Sequence, residues 1–340
     1  MKKLPTTARR RSLGTGAEDW VDIRPLSEDS PYPTLVTPKV EGLDLNEWAK
    51  GNRPFIEKLF HEKRSLLFRH FESGGIEGFE TFTNLVADGA RLPYRDRSTP
   101  RTTYGDNVYC TTIYPPEYTI RLHNEGSYWT AHALKAIFGC VTAPETGGET
   151  PIGDVHGVYN RIDPEIREEF VRRKWMLQRN YNEGFALPWQ EVFQTNDRAE
   201  VEAYCKENRI EFEWRDGDRL RTRQIRNPVL AHPRSGELLW HNHAAFFHIT
   251  TREAHIREAL VSEFGEDELP YNTYYGDGGA IDPEVIAHIN AAYDAELVKF
   301  RWQEGDVHLI DNCRLAHARE PFTGDRLILV ALMEPFQPPE

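Results

Sequence analysis

The chain has 340 residues, 39% of them hydrophobic, enough for one large or two ordinary domains with a core of normal size. Its 41 basic and 54 acidic side chains leave a formal net charge of −13, which argues against nucleic acid as the main partner. The separated Cys110, Cys140, Cys205 and Cys313 form no CxxC pair, which fits a reduced, cytoplasmic protein without a disulfide framework or zinc ribbon, and no apolar run approaches the roughly 20 residues of a membrane span.

The start, from Lys2-Lys3 through Arg9-Arg10-Arg11, is basic but is followed by no apolar stretch, so it is not read as a secretory signal. Residues 1–35 mix charge, Gly and Pro and read as a flexible tail and loop. Residues 36–340 contain no linker, repeat or low-complexity tract and read as a single domain. Leu43 to Phe60 has helical spacing (Leu45, Trp48, Phe55, Ile56, Leu59), with Asp44 or Asn46 near its start. Ser65 to Phe71 reads as a buried strand and Gly78 to Asp88 as a short helix. Arg91 to Asn107 is polar and irregular, the character of a lid or binding loop or else of a disordered segment. Strands are expected at Val108–Tyr114, Tyr118–Leu122 and Lys135–Val141.

Gly147-Gly148 then permits a tight backbone. Asp154 reads as an N-cap for Val155–Ile162, and Asp163-Pro164-Glu165 opens another helix with Pro near N1. Beyond a strand at Lys174–Tyr181, two short helices fit Pro188–Asn208. Further strands are expected at Ile210–Trp214, Arg219–Ile225, Glu237–Trp240, Leu297–Trp302, Asp306–Ile310 and Arg326–Glu334. Glu253–Phe264 and Pro283–Glu296 complete the helices. Many short strands with clustered helices suggest a mainly β fold, a β-sandwich or jelly roll flanked by helices.

The chemistry gathers at Leu122-His123-Asn124-Glu125-Gly126, at the end of a β-rich run. Side chains two apart on a strand share a face, so His123 and Glu125 would converge as an imidazole nitrogen and a carboxylate oxygen. One more histidine would complete the 2-His-1-carboxylate set of non-haem Fe(II) sites. A bare His-x-Glu is more often a surface pair, so the rest of the chain decides. Near the C-terminus, His317 is a candidate third ligand. Arg326 follows it at the start of a β-rich run, where its planar fork could anchor a dicarboxylic co-substrate. Arg319, two residues after His317, is the rival anchor.

Several longer stretches carry a resemblance: RSTPRT (97–102), LHNEGSYW (122–129), PETGGETPIGD (144–154), HPRSGELLWHNHAAFFH (232–248), YNTYYGDGG (271–279), WQEGDVHLIDN (302–312) and AHAREPFTGDR (316–326). With them the chain resembles an Fe(II)/2-oxoglutarate dioxygenase of the taurine dioxygenase-like (TauD/TfdA) superfamily. Within it the chain is most similar to the branch named for the syringomycin-biosynthesis hydroxylase SyrP, near clavaminate synthase. The resemblance implies a double-stranded β-helix (jelly roll) with Fe(II) held by His123, Glu125 and His317, and 2-oxoglutarate and O₂ as co-substrates. It further implies that the distal carboxylate of 2-oxoglutarate meets Arg326 and the Thr150 hydroxyl. Two departures stand out. Ala318 replaces the usual glycine between His317 and Arg319. Trp240-His241-Asn242-His243 stands where the family shows Trp-Phe-Asn-Gln. His241 and His243 could form a second metal pair, but no carboxylate or third ligand accompanies them.

The resemblance implies hydroxylation of an amino acid, free or tethered to a peptidyl-carrier protein, in the biosynthesis of an antibiotic or other natural product. Halogenases of the superfamily lack the carboxylate ligand, so Glu125 argues for hydroxylation, desaturation or ring closure. Arg101, Tyr104, Arg121, Asn124 and Trp129 flank the motif, and Asn242 lies in the divergent stretch; all six are candidates for holding a polar substrate. The alternatives are a catabolic dioxygenase of a sulfonate or aryloxy acid, a non-catalytic jelly-roll binding protein, and a zinc hydrolase. The last lacks the HExxH spacing and leaves Arg326 unexplained. Oligomeric state, including a homo-oligomer, is left open.

Overall fold

The computed structural model describes residues 16–88, 91–92, 96, 102–105, 108–111, 114–181 and 187–338. In chain order, strands β1 (Val21–Ser27) and β2 (Ser30–Pro38) precede helix α1 (Leu45–Lys63), β3 (Ser65–Phe68) and α2 (Gly75–Val86). Then come β4 (Thr103–Gly105), β5 (Val108–Cys110), β6 (Ile120–His123), β7 (His132–Thr142), β8 (Thr146–Gly147) and β9 (Ile152–Asp154). Helices α3 (Val155–Arg161) and α4 (Pro164–Arg173) lead to β10 (Trp175–Tyr181), α5 (Trp189–Phe193), α6 (Arg198–Glu207), β11 (Glu211–Arg215) and β12 (Arg219–Arg226). The rest is β13 (Val229–Ala231), β14 (Leu238–Trp240), α7 (Ala244–Phe247), α8 (Ala254–Phe264), β15 (Tyr271–Tyr275), α9 (Pro283–Ala295), β16 (Leu297–Val298), β17 (Val307–Asp311), β18 (Leu315–Arg319), β19 (Phe322–Thr323) and β20 (Leu327–Phe336).

The strands form a major sheet in the order β1-β2-β3-β17-β7-β20-β5-β4 and a minor sheet in the order β16-β9-β18-β6. The period of two along the central strands divides their side chains between two cores. Ile328, Val330 and Leu332 of β20 join Ala136 and Phe138 of β7 against Leu122, Ile152 and Leu315 of the minor sheet. The alternate residues Leu329, Ala331, Met333 and Ile137 pack with Leu45, Trp48, Ile56, Phe60, Phe79 and Phe82 of α1 and α2. The result is the jelly roll with flanking helices expected from the sequence. A further sheet, β11-β12-β10-β15, has its own cluster with α5 and α6 around Trp189, Val192, Phe193 and Val201.

Cap chemistry starts the helices where the sequence places them. Asp44 accepts the Glu47 N–H at 2.9 Å at the head of α1, and Asp163 and Asp282 cap α4 and α9 ahead of Pro164 and Pro283. The N-terminal expectation is corrected. Residues 21–35, read as tail and loop, contain β1 and most of β2. β2 pairs in parallel with β3, Thr34 opposite Leu66 and Val36 opposite Phe68. β1 is an edge strand in which Val21 alone is buried, with Asp22, Arg24 and Pro25 exposed or half-buried. Charge and proline are the marks of a protected edge and read as loop when the partner strand is not in view. The short strands β4, β8, β9, β13 and β19 were missed as well, as were β15 and, more consequentially, β18. The strand expected over Val108–Tyr114 is Val108–Cys110, with residues 112–113 outside the described residues, and that over Leu297–Trp302 is limited to Leu297–Val298. Among the described residues no helix is long and apolar enough to cross a membrane.

Lys135 of β7 is fully buried toward the helical side, where its ammonium meets the carboxylates of Glu57 of α1 and, at 2.8 Å, Glu334 of β20. It also donates to the Val86 carbonyl at 2.8 Å. Removing one partner of a buried charge network leaves uncompensated charge behind. Lys135→Met is expected to lower unfolding free energy by about 3 kcal/mol, seen as a lower urea midpoint at unchanged slope. An unchanged midpoint would mean that the two glutamates are solvated well enough to stand alone.

Candidate active site

The site is assembled by one strand pairing. β18 runs antiparallel to β6 with His317 directly opposite His123, and on its other side pairs with β9, His317 opposite Ile152. The two imidazoles lie with ring centroids 4.5 Å apart. Glu125 comes from the turn after β6 rather than from the strand itself. That turn passes through Gly126 at φ +69, where any Cβ would strike the Trp129 ring. Glu125 Oε2 lies 3.5 Å from His317 Nε2. One ligand atom from each of His123, Glu125 and His317 falls within 4.8 Å of the others, and all three residues are buried. It is the single cluster of this kind among the described residues.

The donor chemistry fits a borderline divalent metal. His123 Nδ1 lies 2.8 Å from the Arg121 carbonyl. That carbonyl requires an N–H, so Nδ1 carries the proton and Nε2 keeps its lone pair. Phe246 covers the His123 ring at 4.6 Å and Phe138 the His317 ring at 4.9 Å, so apolar surface encloses the two bases.

A cavity opens beside the cluster, lined by His123, Glu125 and His317 at one side and by Thr111, Thr150, Arg319 and Arg326 at the other. Arg326 immediately precedes β20. Its guanidinium donates to the Gly148 carbonyl at 3.0 Å, Thr111 Oγ1 at 3.1 Å and Thr150 Oγ1 at 3.2 Å. Gly148, at φ +67, is required there, because a Cβ would press on Pro144, Phe322 and Arg326 itself. The partners of this cation are neutral, and among the described residues no carboxylate forms an ion pair with it. Burial, with Arg319 nearby, pushes its pKa down to about 10. A largely desolvated cation with neutral partners, lining a cavity, has the chemistry to pair with an anionic group. Thr150 Oγ1 also accepts from Trp302 Nε1 at 2.9 Å, so its lone pairs are taken and its own O–H is left to donate.

The structure thus gathers His123, Glu125, His317, Thr150 and Arg326 at one cavity. Arg319 lines it too, but its two terminal nitrogens donate to the carbonyls of Tyr114, Pro115 and Tyr118 at 2.8, 2.7 and 2.8 Å, and only its Nε is left without a partner among the described residues. It fixes the approach to β6 and is not placed as an anchor.

The expected substrate residues are not gathered. Arg101 lies outside the described residues. Tyr104 is exposed on the edge strand β4. The Arg121 side chain turns outward to Asp294 of α9 at 3.1 Å, and only its carbonyl serves the site. Asn124, between the two ligands, points the opposite way and donates to the Asn312 carbonyl at 2.7 Å. Trp129 is packed beneath Gly126. Asn242 bridges the Pro228 carbonyl and the Ala244 N–H at 2.8 and 3.0 Å.

Residues not expected at this centre do border it, among them His243, which the sequence offered only as half of a second metal pair. His243 lies with its ring 5.5 Å from His123 and its Nδ1 2.5 Å from Ser127 Oγ. Phe138 and Phe246 cover the imidazoles, and Trp302 donates to Thr150. Trp302 and His243 lay inside conspicuous motifs; nothing in the pattern marked Phe138.

A jelly roll carrying a buried His-x-Glu…His cluster beside a desolvated arginine defines a class of non-haem metal protein, and comparison with known proteins makes the class specific. Residues 22–333 match the family described as taurine catabolism dioxygenase TauD, TfdA family, and the chain belongs to this family of dioxygenases. It is 39% identical over 318 residues to the dapdiamide synthesis protein DdaC of Enterobacter agglomerans, covering 93% of this chain and 95% of that protein. It is 25% identical over 325 residues to a clavaminate synthase-like protein of Arabidopsis thaliana, covering 90% and 94%. Among solved structures it superposes on PvcB of Pseudomonas aeruginosa, described as an Fe, alpha-ketoglutarate dependent oxygenase from an isonitrile synthetic pathway. The TM-score is 0.52 at 16% identity, with 96% of this chain and 94% of that one covered, a likeness of fold.

Glu125→Ala is expected to abolish turnover while leaving the thermal midpoint within a few degrees of wild type, because the carboxylate faces a cavity and not the apolar core. Loss of soluble protein, with unchanged activity per folded molecule, would instead make Glu125 a structural residue.

Proposed function

We propose that the protein is an Fe(II)- and 2-oxoglutarate-dependent oxygenase that hydroxylates an amino acid, free or carried as a thioester on a peptidyl-carrier protein, in natural-product biosynthesis. His123, Glu125 and His317 hold the iron, and Arg326 with Thr150 takes the distal carboxylate of 2-oxoglutarate. One observation carries the reading: two imidazoles and a carboxylate meet in a cavity that is also lined by a half-buried guanidinium with neutral partners. Iron and 2-oxoglutarate, when bound, couple decarboxylation of the oxo acid to succinate and CO₂ with oxidation of a substrate C–H bond by O₂.

The chain's own part is placement and exclusion of water. The Arg121 carbonyl keeps His123 in the tautomer that presents Nε2. Arg326 supplies charge, and the Thr150 hydroxyl adds a directed donor, so a dicarboxylate is distinguished from a monocarboxylate of similar length. Phe138 and Phe246 keep the centre dry on its imidazole faces. The presence of Glu125 favours hydroxylation over halogenation, since no ligand position is given up to a halide. The natural-product context is supported by the 39% relative, whose name places that protein in dapdiamide synthesis.

Anaerobic Fe(II) and 2-oxoglutarate together are expected to give a weak metal-to-ligand charge-transfer band, and an amino-acid screen for succinate release then identifies the substrate. Tight Zn(II) binding with no such band would transfer the site to a hydrolase.

Arg326→Lys is expected to raise half-saturation by 2-oxoglutarate roughly ten-fold to over a hundred-fold. Lysine keeps the charge but loses the two-pronged fork, and a charge-assisted hydrogen bond contributes about 1.5–3 kcal/mol. Iron affinity should barely change. Arg319→Lys should leave half-saturation near wild type; the reverse pattern would make Arg319 the anchor.

A further inference from the structure

A metal ligand in a turn has no strand partner to fix its backbone. Glu125 is in that position, yet its main chain is held on both sides by one side chain. Asn312, fully buried, immediately follows β17. Its Oδ1 accepts the Glu125 N–H at 3.0 Å, and its Nδ2 donates to the Glu125 carbonyl at 3.1 Å and to the Ala133 carbonyl at 3.0 Å. The partners fix the orientation of the amide, because an N–H needs Oδ1 and two carbonyls need Nδ2. Its own backbone is anchored as well: the N–H donates to the Leu134 carbonyl at 2.9 Å, and the carbonyl accepts from Asn124 Nδ2 at 2.7 Å. The amide stands in for the missing neighbouring strand. It also begins the turn that leads, five positions on, to His317. One side chain therefore ties the carrier of the carboxylate to the carrier of the second histidine, across 187 residues of sequence.

We propose that Asn312 is a positioning residue for the metal centre. By clamping the Glu125 peptide groups it sets the direction of the carboxylate toward His123 and His317, so that the three donors are arranged before metal arrives. The inference rests on the metal site proposed above. It differs from a purely structural role, in which Asn312 would close a turn and affect folding alone.

Co(II) alone is the probe, because its visible d–d absorption reports affinity and coordination geometry without turnover. It is titrated, into the millimolar range, into wild type, Asn312→Ala, Glu125→Ala and the double variant. Asn312→Ala is expected to weaken Co(II) binding about 10- to 100-fold and to alter the d–d envelope. In the Glu125→Ala background the same change should shift affinity less than about two-fold, since the carboxylate that Asn312 aims is gone. Equal loss in both backgrounds, or loss in neither, would overturn the proposal. Should Asn312→Ala not fold, Asn312→Ser, which keeps an acceptor for the Glu125 N–H, is put through the same cycle with the same criterion. Absence of Co(II) binding by folded wild type would bring down the metal reading itself, and this inference with it. Tight wild-type binding that Asn312 does not influence would remove only the inference.

Discussion

The pairing of β6 with β18 is the constraint on which the site depends. An antiparallel register that sets His123 against His317 brings together bases almost two hundred residues apart in the chain. A slip of one residue would turn either imidazole to the opposite face of the minor sheet. β18 is held on its other edge by β9, and through Pro151 that strand also fixes Thr150, the hydroxyl across the cavity. The minor sheet therefore sets the distance between the metal cluster and one side of the anion pocket. The major sheet supplies the rest, as β7 brings Phe138 and the start of β20 brings Arg326. Both sheets share the core that includes Leu122, Ile152, Phe138 and Val330, so packing that stabilises the fold also spaces the site.

Electrostatics then separates the two halves of the cavity. At the cluster, imidazoles and a carboxylate present lone pairs; at Arg326, burial leaves a cation with only neutral acceptors. Holding an unpaired charge away from water is unfavourable for folding, and it is tolerable because three neutral oxygens and the aromatic face of Phe322, with its centroid 5.6 Å from the guanidinium carbon, share the guanidinium. The same arrangement makes the pocket selective. A ligand that brings a carboxylate to Arg326 restores a charge partner, whereas a neutral ligand of the same shape does not.

The parts of this arrangement that were legible in sequence were those in which residue type alone limits the chemistry. His-x-Glu, a later histidine, a Gly-Gly turn ahead of Thr150 and an arginine at the head of an apolar strand admit few other combined readings. Direction was not legible. Asn124 sits between two site residues and Arg121 two before one, yet the first points into the β17–β18 turn and the second out to α9. Adjacency in sequence does not decide which way a side chain leaves the backbone once a strand gives way to a turn. The strand that carries His317 was also hidden. Leu-Ala-His-Ala-Arg has no alternation and little β-branching, and it is a strand because β6 and β9 flank it. Likewise β1 is specified by β2 and not by its own composition.

The divergent Trp240-His241-Asn242-His243 stretch shows how chemically equivalent donors are kept from competing with the cluster. His243 reaches the neighbourhood of His123, but its Nδ1 is engaged by Ser127 and its ring is stacked on Phe247 at 5.0 Å, with Tyr128 edge-on at 5.1 Å. His241, two residues earlier, packs its ring 4.7 Å from that of His132. Burial, with the imidazoles packed around them, holds both imidazoles well below the usual histidine range, so both stay neutral. Neutral imidazoles beside a metal site are potential ligands by chemistry alone. What excludes them is placement: one is fastened through Ser127 and Phe247, and the other is packed against a different partner. The carboxylate at Glu125 is different in kind, because it leaves a turn and lines the cavity together with His123 and His317. The distinction between ligand and bystander among these residues is therefore made by hydrogen bonds to the backbone and by ring packing, and not by the identity of the side chain.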